Sequence, residues 1–290
     1  MRFREWMLFP VLVGCNVAPA LSRRGPAESR SYVDPCSVVQ CVPHDTAGVR
    51  IVNSRLIAGE TALTPQFTAI QSFDVSLERR EVAFSARRTD NFDIGLVSLD
   101  GSEIHWVPAD PADEIDVQWA PRGNKISYTV RGKVCDVVRT LHVPTSAQLS
   151  VAFPYATISA LAWNRAAERY AVVISSPDAS ERIESMKYSG EERRVDVPPG
   201  ERLDVAEEPV AGGVLLRPGA MHYGERLPLF VWVADPPFVW NAERAALMRK
   251  QRVACAIMRR APDDAFWAAV RAIPWIDTSR VSLKDSNGVR

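Results

Sequence analysis

One internal period constrains this chain of 290 residues more than any other feature. Val75-Ser76-Leu77-Glu78-Arg79-Arg80-Glu81-Val82-Ala83-Phe84 aligns with Trp119-Ala120-Pro121-Arg122-Gly123-Asn124-Lys125-Ile126-Ser127-Tyr128. A third copy reads Trp163-Asn164-Arg165-Ala166-Ala167-Glu168-Arg169-Tyr170-Ala171-Val172, so the starts at 75, 119 and 163 keep a constant spacing of 44. Each copy has an apolar anchor, a polar turn and then the alternating apolar residues of a strand. A period of about 40–45 residues, with four short strands per unit, marks the blades of a β-propeller. The first copy continues through strands at 81–86 and from 93, and Asp100-Gly101 predicts a hairpin turn before 102–109. Alternation sets Val82 and Phe84 on one face and Ala83 and Ser85 on the other, which predicts one face packed on a neighbouring blade. Trp119 and Trp163 are expected to fill the core between blades. Residues 31–70 and 200–220 could supply degraded blades, so a partial or small propeller is expected.

From residue 212 the pattern changes. Strands are predicted at 213–218, 227–234, 252–258 and 280–283. A helix over 242–251 has Asn241 as its N-cap, and a second, over 263–273, opens on acidic residues. Phe266, Val270 and Ile273 form one apolar stripe on the second helix. Strand, helix, strand, helix, strand predicts a parallel α/β sheet with right-handed crossovers. The fold class is therefore mainly β with α/β, and the expected boundary between 32–211 and 212–290 falls at residue 212.

The amino terminus has its own signal. Arg2 and Arg4 precede an apolar stretch from Trp6 to Gly14, too short to span a bilayer as a helix and suited to an export signal over 1–14. Leu12-Val13-Gly14-Cys15 resembles the bacterial lipoprotein motif. That resemblance implies cleavage before Cys15, lipidation of its thiol, and an exported protein anchored to a membrane of the cell envelope by its acyl chains. Residues 15–31 read as a tether. Cys36 and Cys41 are close enough to close a small disulfide loop in an oxidising compartment; metal binding is the competing reading, but His44 alone does not make a zinc site. Cys135 and Cys255 read as small buried hydrophobes. No cofactor or metal is expected.

Lys+Arg and Asp+Glu both number 35, and without a basic excess a nucleic-acid partner is excluded as an expectation. Asp110, Asp113, Glu114 and Asp116 lack the ligand spacing of a calcium loop and are expected to form a solvated blade-top loop.

The repeat, with its Trp-Ala-Pro-Arg-Gly-Asn-Lys turn at 119–125, resembles the blades of TolB-like proteins and of prolyl-oligopeptidase-type serine peptidases. Leu215 to Pro237 resembles the start of that family's catalytic domain. The family's His-Gly-Gly-Pro turn beside the oxyanion hole falls on Ala234-Asp235-Pro236-Pro237, leaving Ala234 and Asp235 as an oxyanion-turn remnant. Its Arg-Gly pair falls on Arg259-Arg260, and Trp275 to Leu283 matches the run into the nucleophile. The family's Gly-x-Ser-x-Gly-Gly falls on Lys284-Asp285-Ser286-Asn287-Gly288-Val289, which places Ser286 at a degenerate nucleophile position. The resemblance implies an incomplete α/β-hydrolase-like sheet. In such hydrolases the acid and the His follow the Ser in the chain; here His44, His105, His142 and His222 all precede it. The expectation is a catalytically inactive, membrane-anchored relative of these peptidases that binds a peptide or an envelope protein. The alternatives are a serine peptidase or esterase using Ser286 with the missing parts supplied elsewhere, and a structural envelope docking protein.

Overall fold

A computed structural model describes residues 34–41, 45–234, 238–285 and 288–289. Cys15, His44, Asp235 and Ser286 lie outside the described residues, as do the signal and tether segments. Three four-stranded antiparallel meanders repeat along the chain. The first holds β4 Ile70–Ser76, β5 Glu81–Arg87, β6 Phe92–Ser98 and β7 His105–Trp106; the second holds β8 Asp113–Trp119, β9 Lys125–Arg131, β10 Cys135–His142 and β11 Ala147–Pro154. The third holds β12 Thr157–Trp163, β13 Arg169–Ser175, β14 Arg182–Lys187 and β15 Arg194–Val197. These are the blades that the 44-residue period predicted. Ahead of them stands a three-stranded sheet, β1 Val49–Val52, β2 Arg55–Ala58 and β3 Thr61–Ala62.

Alternation along each second strand sorts side chains between neighbours, as a pleated sheet must. Val82 and Phe84 pack towards β1–β3, while Ala83 joins Trp119, Ile126 and Tyr128 between the first and second blades. Trp163, Tyr170 and Val172 then pack against Val138 and Phe153 between the second and third. Trp119 and Trp163 are buried as expected. Asp100-Gly101 makes its turn, with Gly101 at φ +78 and its N–H on the Ser98 carbonyl. The innermost strands β4, β8 and β12 each carry a β-bulge at the matching place, near residues 71, 116 and 159. Bulges sharpen the local twist, which suits strands crowding a common axis.

The outer face of the third blade is covered by a segment from the start of the described chain. The short helix α1 Cys36–Val39 lays Val38 and Val39 on Ala171, Val173 and Ile183 of the third blade. Cys36 and Cys41 are disulfide-bonded with Cα atoms 5.1 Å apart, closing the loop around α1.

The rest forms a six-stranded mixed sheet in the order β16-β17-β19-β18-β20-β21. Its strands are β16 Val205–Val210, β17 Gly213–Pro218, β18 Leu227–Val233, β19 Ala254–Met258, β20 Ile276–Asp285 and β21 Gly288–Val289. Here the sequence reading needs correction. Only β18 runs parallel to β19 and β20; β17 is antiparallel to both β16 and β19. The β16–β17 hairpin also carries the sheet across the boundary expected at 212, so 205–210 is no degraded blade. At the far side of the sheet β21 pairs with β20 at Lys284 and Asp285.

The helices α2 Ala242–Lys250 and α3 Asp264–Arg271 cover opposite faces. Ala245 and Met248 pack with Val214, Leu216, Cys255 and Ile257, whereas Phe266 and Val270 pack with Leu215, Ala254, Ala256 and Met258. Asn241 Oδ1 accepts the Arg244 N–H at 2.8 Å and Asp263 Oδ1 the Phe266 N–H at 2.9 Å. Each thus satisfies an orphan donor at a helix start. No helix among the described residues is long and apolar enough to cross a membrane.

Candidate functional site

Open α/β sheets present ligands at the carboxyl ends of their parallel strands. Here those ends are Val233-Ala234 after β18, Arg259-Arg260 after β19, and Lys284-Asp285 at the end of β20. They face the blades across a seam of specific contacts. Tyr155 meets Phe238 edge-on at 5.8 Å, the Trp240 N–H donates to Ser175 Oγ at 2.8 Å, and Arg249 pairs with Glu201 at 2.8 Å.

Two arginines organise the seam. Arg244 is 1% exposed; its guanidinium donates to the Val239 carbonyl at 2.7 Å and the Pro177 carbonyl at 3.2 Å, tying α2 to the third blade. Burial holds its pKa below the usual arginine range. Arg259 sits near Asp136 of β10. Asp136 accepts the Ile158 N–H at 2.9 Å and pairs with Arg131 at 3.4 Å. Burial raises the Asp136 pKa, opposed by Arg131, the Ile158 N–H and the Arg259 charge. Arg244 carried no motif in the sequence, and the family resemblance marked Arg259 only as the first of an Arg-Gly pair, without its acidic neighbour Asp136. Arg244 was just the third residue after a helix cap, and its role depends on a blade loop some 67 residues away.

Among the blades, the innermost strands line an open recess of about 290 Å³, with Ser72, Asp74, Asp116, Gln118 and Ser159 on its walls. The strands are cross-braced: Asp74 Oδ2 accepts the Trp119 N–H at 2.7 Å, and Asp116 Oδ1 accepts from Gln71 Nε2 at 2.6 Å.

The sequence-predicted positions fare differently. The Ala234 N–H, at the oxyanion-turn position, donates to the Met258 carbonyl at 3.0 Å. Lys284, in place of the first glycine of the nucleophile motif, lies over the Trp232 ring at 4.6 Å and pairs with Glu243 at the start of α2. His105 is exposed in β7, and His142 Nδ1 bonds Thr145 Oγ1 at 2.7 Å at a blade hairpin. His222 lies in the loop after β17. Because Gly213 pairs with Met258 and Leu216 with Cys255, that loop sits at the amino end of β18 and β19, across the sheet from the strand ends.

One other expectation changes. Asp113–Trp119 is a strand, not a solvated loop, and Glu114 is fully buried with Arg139 Nη1 at 3.3 Å. Cys135 is buried as expected. Cys255 is a buried free thiol whose pKa burial pushes up to about 12, which leaves it inert. No cluster of metal-ligating side chains occurs among the described residues.

No protein-family model matches the chain, and no curated protein matches it. Solved structures do. Prolyl oligopeptidase B from Galerina marginata is similar at TM-score 0.57 and 11% identity, over 77% of this chain and 38% of that one. Pyrococcus horikoshii acylaminoacyl peptidase is similar at TM-score 0.57 and 11% identity, over 84% and 46%. A Mycobacterium tuberculosis puromycin-hydrolyzing peptidase is similar at TM-score 0.53 and 11% identity, over 80% and 44%. The chain spans less than half the length of each. Its fold is of the prolyl-oligopeptidase type.

Proposed function

We propose that this chain is a peptide- or protein-binding relative of prolyl-oligopeptidase-type serine peptidases, and that its described residues bind rather than cleave. The strand order β16-β17-β19-β18-β20, the antiparallel β17, and helices on both faces support reading the sheet as the leading part of an α/β-hydrolase sheet. The observation that carries the proposal is the state of the strand ends. An oxyanion hole needs backbone N–H groups free to meet developing charge. The Ala234 N–H is already committed to Met258. A serine hydroxyl is a weak nucleophile without an adjacent base. Among the described residues no imidazole stands at the carboxyl ends of the strands, the nearest candidate in this domain, His222, being at the opposite end.

What remains is the polar recess among the innermost blade strands, lined by Asp74, Asp116, Gln118, Ser72 and Ser159. Such a recess suits an extended peptide, whose backbone offers donors and acceptors in alternation. Cys15 is proposed as a lipid anchor holding the chain on an envelope membrane, with export removing residues 1–14; a peptide spectrum showing an acylated Cys15 at the new amino terminus would support it, and an intact 1–15 segment in the exported protein would refute it.

The test is direct. The full chain is exposed to a fluorophosphonate probe and to chromogenic peptides and esters, beside a Ser286→Ala variant. The expected result is no labelling and no turnover in either. Turnover by the natural chain that vanishes in Ser286→Ala overturns the proposal.

A further inference from the structure

The open edges of the sheets are treated very unevenly. A β-sheet edge exposes unpaired N–H and C=O groups, and proteins blunt edges by shortness, charge or proline. Among the described residues, β3, β7 and β21 are two residues each. The four-residue β15 carries Arg194 and Asp196, and β16 carries Glu207, Glu208 and Pro209. The outermost strand of the second blade is neither short nor charged, and its one proline stands at its last residue. β11 is eight residues long, reads Ala147-Gln148-Leu149-Ser150-Val151-Ala152-Phe153-Pro154, and has no charge. It is terminal in its sheet, residues 147–150 are exposed, and Leu149 is 45% exposed.

Backbone parity shows what could pair with it. All eight residues pair with β10, and the Tyr155 N–H continues the ladder onto the Val134 carbonyl. Antiparallel ladders alternate, so odd-numbered residues of β11 bond inward and Gln148, Ser150 and Ala152 turn their N–H and C=O outward. Pro154, which has no N–H, falls in the outward set, where it wastes no ladder bond.

We propose that β11 is a homodimer edge: a second copy of this chain adds its own β11 antiparallel, about a two-fold axis through Ser150. In that register Ser150 faces its own symmetry mate, and Gln148 faces Ala152 of the other copy. Every outward donor then meets an outward acceptor. Leu149 falls opposite Val151 of the other copy, on the face where Val151 and Phe153 already pack against the third blade, so its exposed surface is covered. A two-fold contact must be self-complementary, and an uncharged strand brings no like-charge conflict to it. An offset by one residue would set outward amides against inward ones and lose the ladder.

The experiment is a concentration series of the full chain by analytical ultracentrifugation. The expected result is a mass rising toward twice the monomer, with Ser150→Lys and Ser150→Pro monomeric at every concentration and unchanged in denaturation midpoint. Hydrogen-bonded antiparallel pairs set Cα atoms about 5.5 Å apart, inside the roughly 4.4–6.8 Å that a disulfide spans. Ser150→Cys should therefore cross-link into a covalent dimer on mild oxidation, while Ser146→Cys, outside the paired stretch, stays monomeric. Cross-linking decides the matter even if the other variants fail to fold. A natural chain that stays monomeric, a dimer indifferent to Ser150→Lys, or equal cross-linking from both cysteines overturns the proposal. So does a monomer that uses this edge only to take up an extended peptide.

Discussion

Replacing Glu114 by Gln should flatten the pH dependence of stability. Glu114 is fully buried in β8, between the first two blades. Its carboxylate faces Arg139 at 3.3 Å and the Ile94 N–H at 3.4 Å, with the charges of Asp93 and Asp110 nearby. Arg139 is shared, since it also holds Asp110 at 2.9 Å. Burial raises the Glu114 pKa from 4.5 to about 8, against the opposing pull of Arg139. Because the folded pKa lies above the unfolded one, the folded state keeps a proton that the unfolded state has released. The stabilisation is complete below the unfolded value and is lost as pH rises through the folded one. Unfolding between those values releases one proton, so stability falls by up to about 1.4 kcal/mol per pH unit. From about pH 5 to about pH 7 the loss is about 2–3 kcal/mol. Glu114→Gln keeps the size and carries no charge at any pH, so its stability should fall less steeply across that window than the natural chain's, the remaining slope coming from groups such as Glu207, which burial raises to about 7 in both proteins. The assay is urea unfolding of both proteins at a series of pH values, with the midpoint and slope fitted separately. Parallel curves for the two proteins, or a natural chain that gains stability with pH, would refute the assignment.

Two further outcomes follow from the geometry. Arg244→Ala leaves the Pro177 and Val239 carbonyls without their buried donor and opens a void under Trp232, so it should destabilise the chain by about 3–5 kcal/mol; denaturant unfolding checks this, and a change below about 1 kcal/mol would remove Arg244 from the seam's energetics. Arg80→Gly should stabilise by about 1 kcal/mol, because Arg80 is exposed in the first blade's turn at φ +56, a left-handed conformation that a side chain resists; an unchanged or lower unfolding midpoint counts against it.

The sequence was a good guide wherever a local rule governs. A 44-residue period fixed the blades because each blade is a local meander with its own turn. Asn241 and the acidic start at Asp263 marked both helices because capping is decided within one turn. Phe266 and Val270 showed their buried stripe by spacing alone. Three things were illegible. The antiparallel β17 and the capture of 205–210 by the second sheet depend on which strand a segment meets, and apolar runs pair equally well in either direction. The acidic run from Asp110 looked solvated, because the partner that allows Glu114 to be buried, Arg139, is contributed by another strand. Arg244 had no motif and Arg259 was legible only as half of an Arg-Gly pair, since Pro177 and Asp136, which they meet, lie on distant segments. Local hydrogen bonding and side-chain period are written along the chain and can be read there; the compensation of a buried charge, and the direction in which strands meet, are set by distant segments brought together, and only the tertiary structure decides them.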